Sequence, residues 1–159
     1  MRVEKPNRVS REFTQHLSAP AAAVFELLCP VREADWVNDW RPKLVLSDSG
    51  FAEPGCIFIT PGIPEDALWL ITEHDPEAFR VEIIKMIPGV VVGRISLALA
   101  ADGSDACTAK ITYAYTSISD HGDRALEEFT DGHFKGFMEI WEKELNHFLK
   151  TGTKLEIPE

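Results

Sequence analysis

Three side chains of this 159-residue sequence have the chemistry of an acid–base site: His133, Tyr113 and Tyr115. An imidazole titrates near neutrality and so can both give and take a proton at physiological pH. A phenol keeps its proton and offers a hydroxyl to an acceptor. His133 lies in "DGHFKGFMEIW" on an apolar stripe, while Tyr113 and Tyr115 flank Ala114 in "KITYAYTS" and share one face of an extended segment. Each residue has two readings. His133 is either satisfied near the start of its helix or a cavity-facing general acid or base. Each tyrosine either fills the core, with its hydroxyl bonded to backbone or water, or presents that hydroxyl to a ligand.

Other chemistries have no support. Cys29, Cys56 and Cys107 are far apart, with no CxxC and no Cys/His cluster of zinc spacing. The acids of "HDPE" and "DHGD" read as solvated turns, so no metal site and no cofactor is expected. "GRISLAL" is not a nucleophile elbow, and no glycine loop cradles phosphate. His16, His74, His121 and His147 read as surface or turn residues.

The segment "EADWVNDWRPK" holds two of the four tryptophans. If helical, it puts Trp36 and Trp40 on one face, either covering a core edge or forming the rim of a pocket.

These residues need a scaffold. Val9 to Leu17 alternate as a first strand with Phe13 inward. In "SAPAAAVFELLCP", Ser18 suits an N-cap, Pro20 a first helical turn and Pro30 a stop. A second short helix carries the tryptophans and ends by Pro42. Six runs rich in β-branched and aromatic residues follow, from "KLVLSDSG" to "CTAKITYAYTSIS", punctuated by turn residues such as Asp102-Gly103. Alternation turns Trp69 and Ile71, Val81 and Ile83, and Ile111, Tyr113 and Tyr115 inward. The chain closes with an amphipathic helix of about 26 residues. Its stripe runs through Leu126, Phe129, His133, Phe137, Trp141, Leu145 and Phe148, widened by Phe134, Met138 and Leu149. Gly132 and Gly136 within it allow a kink, a close approach to the sheet, or empty space beneath. One helix stripe buried against one sheet face makes an α+β fold.

Composition agrees with a globular chain: 45% hydrophobic, 26% charged, net charge −10. The acidic balance argues against nucleic acid and anionic membrane surfaces as partners. The N-terminal "MRVEKPNRVSREF" lacks the apolar run of a signal peptide, and "MIPGVVVGRISLALAA" is broken by Pro88, glycines and Arg94, so no membrane span is expected. The expectation is a cytoplasmic protein of one domain, residues 1–159 with a core of about 10–150. A homodimer is compatible with the sequence.

The order of elements, with "SAPAAAVFELLCPVREADWVNDW", "LWLITEHDPEAFRVEI" and "CTAKITYAYTSIS" before the closing helix, resembles the START-like or SRPBCC superfamily, which includes the birch-pollen allergen relatives. The resemblance implies a helix-grip fold: a curved antiparallel seven-stranded sheet wrapped around a long C-terminal helix, with two short helices after strand 1. It also implies an internal cavity for a small apolar or aromatic ligand such as a lipid, isoprenoid or polyketide. The expected ligand-binding residues are Trp36, Trp40, Trp69, Ile71, Val81, Ile83, Ile111, Tyr113, Tyr115, His133, Phe134, Phe137 and Trp141. Two alternatives stay open. One is a polyketide cyclase or dehydratase, with His133 facing Tyr113 or Tyr115 to enolise a polyketone. The other is a co-chaperone-like protein-binding adaptor, which would need a large exposed apolar patch where the sequence suggests a charged surface.

Overall fold

A computed structural model describes residues 1–158. The six β-branched runs and the first strand form one antiparallel sheet. Its strands are β1 (Arg8–Leu17), β2 (Leu44–Leu46), β3 (Ile57–Thr60), β4 (Ala67–Asp75), β5 (Arg80–Ile87), β6 (Val91–Ala101) and β7 (Cys107–Ser117). They lie in the order β1-β7-β6-β5-β4-β3-β2. Short connections make each strand from β3 to β7 a neighbour of the one before it, and β1 pairs with β7 at the far edge. Burial alternates along β6 and β7, so Ile95, Leu97, Ile111 and Tyr113 face the interior.

The C-terminal stripe forms two helices, not one: α2 (Asp120–Glu128) and α3 (Asp131–Thr151). The break is local chemistry. Phe129 leaves helical geometry at φ −80° and ψ 61°, and the Thr130 side chain accepts from the His133 backbone N at 3.1 Å. A side-chain oxygen that satisfies an otherwise orphan N–H starts a new helix. The buried stripe of α3 is consequently Phe134, Met138 and Leu145, with Trp141 and Phe148 partly buried, while His133 and Phe137 are exposed beside it. Gly132 and Gly136 do not approach the sheet, since a Cβ at either would meet nothing within 4 Å, and α3 runs unbroken through both. Helix and sheet are tied by buried Gln15 of β1, whose Nε2 donates to the Met138 carbonyl at 3.0 Å.

Between β1 and β2 the chain makes α1 (Ala21–Phe25) and a single 3-10 turn, Arg32–Asp35. Pro20, not Ser18, occupies the N-cap of α1; Ser18 instead donates its backbone N to Asn146 Oδ1 of α3 at 2.9 Å. Helical geometry ends at Asp35, with Trp36 already out of it at φ −134°, so the expected helix carries neither tryptophan; Asp39 then turns left-handed at φ 60°.

The outer face of the sheet departs from the expected charged surface. Two rows cross β2 to β5: Leu44–Ile59–Leu68–Met86 and Leu46–Ile57–Leu70–Ile84. Six of these eight side chains are exposed by 37–52%. No described helix is long and apolar enough to cross a membrane.

Candidate functional site

The curved sheet and α3 do not meet everywhere, and the gap is a cavity of about 490 Å³. Val81, Ile83, Ile95 and Leu97 line its floor, Trp40 and Phe58 one side, and Phe129 and Trp141 the other. Five lining residues remain exposed and mark the mouth: Asp39, Arg41, Pro61, His133 and Phe137.

One row of paired residues crosses the sheet from β2 to β7: Val45–Phe58–Trp69–Lys85–Gly93–Tyr115. Phe58 and Trp69 stack, with ring centroids 5.2 Å apart and planes 12° from parallel. The Trp69 Nε1 donates to Thr60 Oγ1 at 2.9 Å, which fixes the ring. Lys85 Nζ lies 4.5 Å from the Trp69 ring centroid and donates to the Tyr115 hydroxyl at 3.2 Å. A cation over an aromatic face is attracted by the ring quadrupole. Between Lys85 and Tyr115 stands Gly93, where a Cβ would come within 2.6 Å of Tyr115 Cε1. The tyrosine ring therefore lies over the glycine, and a glycine is what allows the ammonium and the hydroxyl to meet.

Burial governs the electrostatics. It pushes the Lys85 ammonium down to about 8, because a charged amine loses hydration in an apolar wall. It pushes the Glu33 carboxyl up to about 8 for the same reason. Tyr113 is raised well above its ordinary value by burial, then by Tyr115, then by Glu33. Tyr115 is raised by burial alone. Both phenols thus hold their protons at neutral pH. The cavity contains a depressed amine on one wall and an elevated carboxyl near Tyr113.

The tryptophan segment is anchored by α3. Buried Glu144 accepts from Asn38 Nδ2 at 2.7 Å, and the same Nδ2 reaches the Leu155 carbonyl at 3.0 Å. This fixes the left-handed turn and divides the two rings. Trp36 is fully buried, its Nε1 donating to the Leu27 carbonyl at 3.0 Å. Trp40 is half-buried over the cavity, its Nε1 donating to the Pro30 carbonyl at 2.7 Å.

Of the residues expected from sequence, Trp40, Trp69, Val81, Ile83, Tyr113, Tyr115, His133, Phe137 and Trp141 line the cavity. Trp36, Ile71, Ile111 and Phe134 do not; each is buried to 1% exposure or less and supports the wall from within the core. Phe134, for example, packs its ring 5.3 Å from that of Tyr113. His133 is at the mouth rather than facing the tyrosines across the interior. His74 is not a simple surface residue, since its ring lies 4.9 Å from that of Phe25 in a smaller depression of about 340 Å³ outside the grip. Lys85 and Glu33 were missed. Lys85 had a signal, because Val81, Ile83 and Lys85 are successive members of one strand face. Glu33, in a 3-10 turn with no apolar period, had none.

No family model and no curated protein matches this chain. Solved structures do. Norcoclaurine synthase from Thalictrum flavum, in complex with dopamine and hydroxybenzaldehyde, is 13% identical, with 87% of this chain and 86% of that one aligned at a TM-score of 0.62. CalU16 from Micromonospora echinospora is 19% identical over 92% of this chain and 84% of that one, TM-score 0.59. A protein of unknown function from Staphylococcus aureus, SA2116, is 12% identical over 93% and 97%, TM-score 0.68. At these identities the likeness is one of architecture.

Proposed function

The chain has the helix-grip fold of START-like proteins, and we propose that it binds a small, largely aromatic or apolar molecule bearing a polar group in the cavity beneath α3. One observation carries the reading. An apolar, ring-lined space of about 490 Å³ has Lys85, Tyr115 and Glu33 among its lining residues. Ligand sites are typically apolar concavities with a few placed polar groups. Norcoclaurine synthase, with a similar architecture, is seen in complex with dopamine and hydroxybenzaldehyde. Three buried free thiols suit a reducing compartment such as the cytoplasm.

Native mass spectrometry of freshly purified protein tests the reading, followed by titration of tryptophan fluorescence with 2-naphthalenemethanol. A retained small molecule, or saturable quenching that Phe58→Trp abolishes by filling the cavity, is the expected result. A clean mass together with no quenching overturns it. A cyclase or dehydratase role for His133 with Tyr113 or Tyr115 draws less support, because the imidazole is at the mouth.

A second reading rests on the outer face. Its two apolar rows carry no charge, so two copies could pack these faces together without burying any of the chain's net −10. Sedimentation velocity decides: a dimer that Leu70→Lys dissociates supports the pairing, and a monomer at micromolar concentration removes it.

A further inference from the structure

From the same cavity we infer a covalent chemistry: Lys85 captures aromatic aldehydes or ketones as an imine, with Tyr115 as proton donor to the carbonyl oxygen. The inference rests on the reading of the cavity as a ligand site and adds what that site does to one chemical class.

Three independent features of Lys85 point to it. Its amine is within the cavity rather than at the surface, so a bound carbonyl compound meets it without competition from bulk water. It is placed, not floppy: the Trp69 ring is 4.5 Å from Nζ and the Tyr115 hydroxyl 3.2 Å away. And no carboxylate pairs with it, its contacts among the described residues being a hydroxyl and two aromatic rings. A lysine kept for an ion pair has a carboxylate at its end, as Lys43 has Asp66 at 2.8 Å. A lysine desolvated among rings is the arrangement that frees a neutral, nucleophilic amine, and its depression to about 8 agrees.

The step balances without a further reagent. The neutral amine adds to the carbonyl carbon and the carbonyl π pair moves to oxygen. That oxygen takes a proton from Tyr115, whose phenol burial keeps protonated, and the proton lost by nitrogen returns to the phenoxide. Tyr115 then protonates the carbinolamine hydroxyl, which leaves as water as the nitrogen lone pair forms the C=N bond, and the iminium N–H proton returns to the phenoxide. Aldehyde and amine become imine and water, and the reverse reaction releases the ligand. Trp69 and Phe58, stacked beside the amine, offer an aromatic face to the ring of the carbonyl compound.

The test uses the whole chain and two probes. 2-Naphthaldehyde is added with sodium cyanoborohydride, which reduces an imine to a stable secondary amine but spares the free aldehyde, and the adduct is mapped by peptide mass spectrometry. 2-Naphthalenemethanol, of similar shape and unable to form an imine, reports binding alone through tryptophan quenching. The expected result is a single naphthylmethyl adduct on Lys85, formed at least tenfold faster than on any other lysine. Urea should abolish that preference, as should Lys85→Arg, which keeps the charge but not the nucleophile. Tyr115→Phe should slow trapping severalfold more than it weakens naphthalenemethanol quenching, because the hydroxyl serves the imine step as well as the cavity wall. Adducts spread over the exposed lysines, with quenching by the alcohol intact, overturn the imine and leave the binding site standing. Neither selective adduct nor quenching removes both. Should Lys85→Arg fail to fold, competition settles the site: excess naphthalenemethanol must suppress the Lys85 adduct and spare those on exposed lysines.

Discussion

Lys85 and Tyr115 are on strands that do not touch, β5 and β7, yet Nζ and hydroxyl stand 3.2 Å apart because Gly93 of the intervening strand has no side chain. Three residues in one cross-strand row thus make one polar contact inside an apolar cavity.

Gly93→Ala is the direct consequence. A new Cβ 2.6 Å from Tyr115 Cε1 cannot be accommodated in place, and the ring is hemmed in by Tyr113 and Phe129 at 6.0 and 4.9 Å between centroids. Overpacking of this sort costs about 1–3 kcal/mol. For a chain of this length that is a fall in Tm of roughly 2–12 °C. Calorimetry should show the drop, and selective trapping at Lys85 should fall with it.

Glu33 should make stability decline with alkali. Its folded carboxyl is raised to about 8 from an ordinary 4.5, so the folded state keeps a proton that the unfolded chain releases between those values. That contribution is complete below about 4.5 and is lost as pH rises through about 8. Glu33→Gln cannot titrate. The Tm of the variant relative to the parent should therefore rise between about pH 5 and pH 9. A constant difference would show that Glu33 ionises at its ordinary value.

Much of this architecture was legible because period-2 alternation survives wherever one sheet face is buried. Ile111, Tyr113 and Tyr115 were turned inward by counting alone, and the same count, carried one step past Val81 and Ile83, reaches Lys85. The C-terminal stripe misled for a physical reason. Apolar residues on both sides of Thr130 keep a helical spacing, while the threonine's hydroxyl ends one helix and begins another. Shifting the buried line to Phe134 and Met138 moved His133 out to the mouth. Glu33 and the parting of Trp36 from Trp40 depend on a 3-10 turn and a left-handed aspartate, held by a contact from Asn38 to Glu144 that is 106 residues distant in the chain. Local pattern holds no trace of such a contact.

The two tryptophans should separate stability from binding. Trp36 is fully enclosed and hydrogen-bonded, so Trp36→Ala should cost about 3–5 kcal/mol. Trp40→Ala removes a half-buried ring from the cavity wall and should cost less in Tm but weaken naphthalenemethanol quenching at least tenfold. Equal losses of stability would place both rings in the core.

Thr130→Ala tests the break between the helices. Without the side-chain acceptor for the His133 N–H, the start of α3 loses about 1 kcal/mol. Phe129 and His133, which flank this cap and line the cavity, should then show faster amide exchange than the middle of α3.

Lys85→Met should raise Tm at neutral pH, opposite in sign to most core substitutions. The folded ammonium is depressed to about 8 from an ordinary 10.5, so between those values the unfolded chain holds a proton the folded one has released. The contribution to stability is present above about 10.5 and lost as pH falls through about 8. At pH 7 the folded protein therefore bears the cost of a charged amine with no carboxylate in contact; of the cavity's other groups, Tyr115 and Tyr113 of β7 are protonated phenols, the Glu33 carboxyl is raised to about 8, and Asp39, Arg41 and His133 stand at the mouth. Methionine fills a similar volume without that cost. The gain should be largest near pH 7 and shrink toward pH 10, read as a series of melting curves. A Tm that drops at pH 7 would mean that the contacts to Trp69 and Tyr115 outweigh the desolvation, and that Lys85 is kept for the wall it completes.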